Sequence, residues 1–157
     1  MAALAASVPG SLIAEDLGEM WGTAEEEEKY YPIVSIPIPP GVPMRPGSFE
    51  ILPDGRLAVG TRRGDIYFVK GAFDSPPAPE FHLFASGQDE IFGLAWKDGA
   101  MTATQFGEVT RITDTDGDEV ADRYETLSNN WRYAEGHEFA FGSKHDPDGN
   151  IWVALGL

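Results

Sequence analysis

The sequence contains no cysteine. That removes disulfides, zinc–thiolate sites, a cysteine nucleophile and covalent haem attachment from these 157 residues. Positive charge is scarce: 11 Lys and Arg stand against 26 Asp and Glu, a formal net charge of −15. Phosphate backbones and anionic lipid surfaces are held by clustered Lys and Arg, so no nucleic acid and no membrane surface is expected as a partner. No Lys or Arg precedes Lys29, and the basic start of a signal peptide is therefore missing. Ala3-Leu4-Ala5-Ala6-Ser7 nevertheless resembles the small-residue end of one. No apolar run is long enough to span a membrane as a helix. A Ser-His-Asp order, a phosphate loop and a dinucleotide fingerprint are all lacking. What is present is 42% hydrophobic residues with 18 Gly and 12 Pro, the composition of a turn-rich globular chain.

Residues 1–31 read as an N-terminal arm that ends in the acidic run Glu25-Glu26-Glu27-Glu28, a self-repelling solvated spacer. In Tyr31–Gly41, Pro37, Pro39 and Pro40 lock φ and remove amide donors, so the stretch cannot be a central strand. Its Ile33, Val34, Ile36 and Ile38 suit an extended segment lying along the surface of the strand-rich region C-terminal to it. A polyproline ligand for another domain is the alternative.

From Ser48 onward a layout recurs: apolar strand, turn, alternating strand. It is carried by Phe49–Gly60 around Asp54-Gly55, by Phe92–Ala103 around Asp98-Gly99, and by Phe139–Ala154 around Asp148-Gly149. Asp-Gly supplies the positive-φ positions of a tight hairpin. The turn glycines lie 44 and 50 residues apart. Second turns follow at Arg63-Gly64 and Phe106-Gly107, and fourth strands fit at 80–84 and 123–127. Four antiparallel strands per unit of roughly 40–50 residues is the period of a β-propeller blade. The expected fold is all-β, an incomplete propeller of about two and a half blades over residues 32–157, because a ring needs about four to eight. The last residues, Val153–Leu157, fall inside what should be a strand, and the chain is expected to be the N-terminal part of a longer protein. An antiparallel sandwich with coincident turn spacing is the alternative.

The most specific stretch is residues 114–125, where Asp114, Asp116, Asp118, Asp122 and Glu125 occupy loop positions 1, 3, 5, 9 and 12. Alternate side chains in a tight loop converge on one point, and a hard cation such as Ca²⁺ takes six to eight oxygens. Five carboxylates gathered without a cation would repel one another. Glu119 stands at position 6, where such loops carry glycine, and Gly117 sits at position 4. A structural Ca²⁺ is expected in an insertion between two blade strands; a solvated acidic turn is the alternative. Of the three histidines, His82 suits a surface or packing role in an alternating strand, and His145 an exposed place in a turn. His137, followed by Glu138, opens a unit and is the candidate general base. Asp89-Glu90 and Arg62-Arg63 read as solvated turn residues.

Tyr31–Pro39, Phe49–Val59, Thr61-Arg62-Arg63-Gly64, Gly93-Leu94-Ala95-Trp96, the 114–125 loop and His137–Gly142 together resemble the propeller domain of planctomycete-type membrane-bound dehydrogenases. Those proteins are similar to the quinoprotein glucose/sorbosone dehydrogenases. The resemblance covers about residues 30–157. It implies a six-bladed propeller in the periplasm or outside the cell, pyrroloquinoline quinone (PQQ) and Ca²⁺ as cofactors, and a sugar or alcohol substrate. It also implies a cytochrome c domain or another electron acceptor as partner, and His137 as the base that takes the hydroxyl proton while hydride passes to the quinone. A calcium-stabilised propeller acting as a binding or scaffold module, without catalysis, is the alternative.

Overall fold

A computed structural model describes residues 24–131 and 139–156. The chain divides into two compact units, 1–35 and 36–157. In the first, Ala24–Glu28 form a short helix, α1, so the acidic run is helical where the sequence reads as a plain spacer. Its turn is closed by the Tyr30 and Tyr31 amides donating to the Glu27 carbonyl at 2.9 and 2.7 Å. Its four glutamates are exposed, which lets their charges repel through water rather than through protein.

The second unit is all-β and antiparallel. Strands β1 (Pro46–Ile51), β2 (Leu57–Thr61), β3 (Ile66–Lys70) and β4 (Glu80–Ala85) form one four-stranded sheet in sequence order. Strands β5 (Ile91–Lys97), β6 (Ala100–Gln105), β7 (Val109–Thr113) and β8 (Arg123–Ser128) form a second, and β9 (Ala140–His145) with β10 (Ile151–Leu155) a hairpin. Each is a meander, and no sheet closes on itself. Strands stand where the alternating runs of the sequence place them, and each Asp-Gly pair turns a hairpin.

The three Asp-Gly turns are not alike. Between β5 and β6 both Asp98 and Gly99 have positive φ (50° and 80°), and Lys97 pairs directly with Ala100. This is the two-residue turn whose twist matches that of the strands. The other two are five-residue loops in which glycine alone takes positive φ. Leu52 N–H donates to the Arg56 carbonyl and Gly55 N–H to the Leu52 carbonyl, and Asp146, Asn150 and Gly149 repeat the pattern.

Strand β2 is buried along its whole length, which requires cover on both faces. Ala58 faces a seam shared with the second sheet, where Ile66, Phe68 and Phe84 meet Ile91, Leu94, Met101 and Ile112. Phe68 stacks on Phe84 at 4.2 Å, and Trp96 meets Phe68 edge-on at 6.0 Å. Leu57 and Val59 face the other way, into a second cluster with Val69 and Ala72. Ile36 and Met44 pack on that cluster. Within the second unit, residues 36–41 of the proline-rich segment thus lie along this sheet without joining it, as their missing amide donors require.

Close backbone approach sets the spacing between sheets. A Cβ at Gly93 of β5 would overlap the carbonyl of Gly142 in β9. Nearby, Thr104 and Ser143, both buried, share a hydrogen bond between their hydroxyls. A Cβ at Gly64, in the β2–β3 turn, would overlap the carbonyl of Gln88 in the link between the first two sheets. Gly64 and Gly55 have nearly the same φ, +84° and +87°, but Gly55 has open space around it. Each therefore carries the same left-handed penalty on substitution, about 1 kcal/mol, and only Gly64 adds a clash, about 1–3 kcal/mol more. In urea unfolding, Gly64→Ala is expected to lose that extra amount relative to Gly55→Ala. Equal losses would mean that the two sheets do not approach this closely.

Candidate metal centre

The acidic loop runs from the end of β7 to the start of β8 and is built from side chains that cap their own backbone. Asp114 accepts from Gly117 N–H (2.7 Å) and Glu119 N–H (2.9 Å), Asp116 from Asp118 N–H (3.3 Å), and Asp118 from Val120 N–H (2.8 Å). Such contacts suit Asp because its short side chain reaches amides two to five residues on. They hold the Asp114 carboxyl below the usual carboxylate range, the Gly117 amide first among them. Gly117 takes φ +83° and Glu119 φ +68°. Position 6 of the loop therefore adopts the glycine conformation with a glutamate in it, which explains how the departure from the usual pattern is accommodated.

The five predicted ligands divide. Asp114, Asp116 and Asp118 bring one carboxylate oxygen each to within 4.8 Å of one another. Asp122 is occupied with Thr115, accepting from its amide at 3.0 Å and from its hydroxyl at 2.5 Å. Glu125 lies in β8 opposite Arg111 of β7, with 3.5 Å between its Oε2 and the guanidinium. The triad is a hard-oxygen donor set. Among the described residues, the Oδ2 atoms of Asp116 and Asp118 take no backbone N–H, and carbonyls and waters are the further ligands with which Ca²⁺ completes a shell.

The loop also reaches the first sheet. Ala121 N–H donates to the Phe84 carbonyl of β4 at 2.7 Å, and Ala121 itself is buried in the seam. The His82 ring, also on β4, bonds the Glu119 carbonyl through Nε2 at 2.7 Å. Arg56, in the β1–β2 loop, pairs with Asp54 at 2.7 Å and with Glu119 at 2.9 Å, and lies 5.1 Å from the centre of the Phe68 ring. His82 is thus more than a packing residue: it ties the loop to the sheet. No spacing rule links residues 37 positions apart, so the sequence alone carries no signal for it.

The remaining candidates have local partners. Glu90 pairs with Arg62 at 2.9 Å. The Asp89 amide donates to Gln105 Oε1, and the buried Gln105 amide in turn donates to Gln88 and Thr110. His145 differs from its sequence reading. It is only partly exposed, its Nε2 lies 3.3 Å from Thr102 Oγ1, and its Nδ1 is buried. The β9 strand carries it against β6, which turn spacing does not reveal. His137 lies outside the described residues.

Glu119→Ala and Glu119→Gly both remove the exposed pair with Arg56, worth under about 1 kcal/mol, but only Gly relieves the left-handed backbone. The Gly variant is expected to be more stable than the Ala variant by about 1 kcal/mol in thermal or urea unfolding. The reverse order would show that position 6 is not left-handed. No family model, no curated protein and no solved structure matches this chain.

Proposed function

We propose that the second unit is a run of β-propeller blades whose acidic loop takes a structural Ca²⁺ and so fastens one blade to the next. The observation that carries this is the double role of residues 114–122. One side of the loop gathers three aspartates, and the other inserts Ala121 into the inter-sheet seam through the bond to Phe84. Four-stranded meanders in sequence order, with the first sheet's Gly60 in close approach to β5 and β5's Gly93 in close approach to β9, support the blade reading. A ring needs more blades than this sequence contains. Calcium would draw its oxygens from Asp114, Asp116 and Asp118, offset their mutual repulsion and stiffen the loop. The role is binding and scaffolding rather than chemistry.

Titration calorimetry tests it. Asp116→Asn is expected to weaken Ca²⁺ binding about tenfold or more, since affinity follows the ligand charge count. Glu125→Gln, held away at Arg111, is expected to change it little. Equal binding by the parent chain and Asp116→Asn would end the proposal.

The second reading is a quinoprotein-like sugar or alcohol dehydrogenase located in the periplasm or outside the cell. Its support is the resemblance together with the place of His137-Glu138 in the sequence, just ahead of β9. Pyrroloquinoline quinone would supply the hydride acceptor, and His137 would take the substrate's hydroxyl proton. In a complete ring carrying this sequence, His137→Ala is expected to abolish dye-linked turnover while leaving ligand binding nearly intact. Undiminished turnover would remove His137 as the base, and absence of turnover from the complete ring itself would leave the scaffold reading alone.

A further inference from the structure

The repeat relates the two four-stranded sheets position by position. Counted from the Asp-Gly turns, Ala58 of β2 corresponds to Thr102 of β6; counted from the second turns, Phe68 of β3 corresponds to Arg111 of β7. Ala58 and Phe68 are buried in the dry seam between the first and second sheets. The same face of the second sheet turns toward β9, and there it is polar. Thr102 pairs across the strands with Arg111, Ala100 with Thr113, and Lys97 with Ala100, so Lys97, Thr102, Arg111 and Thr113 stand on one face. With Asp98 and His145 they line a cleft of about 430 Å³.

Charge in this cleft runs against the chain as a whole. Asp98 is its one lining carboxylate among the described residues. Lys97 makes no ion pair among the described residues, and it reaches across the cleft toward the β9–β10 turn. Its Nζ lies 3.1 Å from where a Cβ on Gly149 would sit. Among the described residues, Arg111 has only the long contact to Glu125, 3.5 Å between two half-exposed groups. His145 Nδ1 is buried and has no hydrogen-bond partner among the described residues. In a protein of net charge −15, two under-compensated cations and two threonines meet beside a histidine where the repeat elsewhere packs Ala and Phe. Half-buried cations short of counter-charge are unfavourable, and an anion between them offsets that desolvation.

We infer that this cleft binds a small oxyanion, phosphoryl or carboxylate, between Lys97 and Arg111. The planar guanidinium matches both oxyanions in bidentate fashion, and the lysine adds a mobile point charge. Thr102 and Thr113 supply hydroxyl donors. None of Asp114, Asp116 and Asp118 lines the cleft, so this site stands or falls independently of the calcium reading.

The test titrates the full chain at fixed ionic strength with inorganic phosphate and, separately, with malonate, following backbone amide shifts by NMR. The expected result is saturable shifts centred on Ala100, Thr102, Thr113 and Gly149. Lys97→Ala and Arg111→Ala are each expected to weaken binding about tenfold, the loss of one charge-assisted contact. Lys70→Ala, on the equivalent strand of the first sheet, is expected to leave it unchanged. Tighter binding of phosphate assigns a phosphoryl ligand, and tighter binding of malonate a carboxylate. Non-saturating shifts with both probes, or unaltered affinity in both Lys97→Ala and Arg111→Ala, would overturn the inference.

Discussion

Phe68 and Phe84 lie ring on ring in the first sheet and press against Ile91, Leu94, Met101 and Ile112 of the second. Each such side chain contributes roughly 1.5–3 kcal/mol on burial, so this seam is the main apolar interaction of the second unit. The rest of the geometry depends on keeping it closed. Gly60 has no side chain because Ile91 and Leu94 fill that space, and Gly64 lets the β2–β3 turn lie against Gln88. The Gln88 amide donates to the Gly64 carbonyl at 3.1 Å, so the link between sheets is fixed by backbone as well as by packing.

The acidic loop occupies the outer end of the same seam. Its aspartates first satisfy local amides, which shapes a loop with little hydrophobic content of its own. Of its two apolar residues Val120 stays exposed and Ala121 is buried, which carries the loop onto β4. Glu119 then joins Arg56 through its carboxylate and His82 through its carbonyl, with Arg56 over the Phe68 ring. The packing of the second sheet against β9 is mixed: Phe92 meets Phe139 and Phe141 at 4.9 and 5.4 Å, while Thr104 meets Ser143. Thr102, Thr104 and Arg111 stand where Ala58, Gly60 and Phe68 stand in the first sheet. One repeat unit therefore presents two chemically different seams, one apolar and one mixed.

Much of this was legible in the sequence. Alternating apolar residues around Asp54-Gly55, Asp98-Gly99 and Asp148-Gly149 located the strands, because strand period and turn chemistry are local properties. Aspartates two residues apart marked the loop, and three of them do converge. The split of the ligand set was not legible. Glu125 follows the cross-strand register of β7 and β8 to Arg111, and Asp122 answers to Thr115, so loop position alone could not assign them. Likewise His145 and His82 owe their surroundings to partners 43 and 37 residues away. Only the stacking of one sheet on the next brings those residues together.

Ca²⁺ at the aspartate triad, as proposed, and packing at the seam would be one coupled event. The Ala121 amide reports it directly, since its donation to Phe84 is the point where loop and seam join. Hydrogen exchange at that amide should slow markedly when Ca²⁺ is added to the parent chain and stay fast in Asp116→Asn. Exchange that is indifferent to Ca²⁺, or protected equally in the variant, would contradict the coupling and leave the loop an acidic turn held by its own hydrogen bonds.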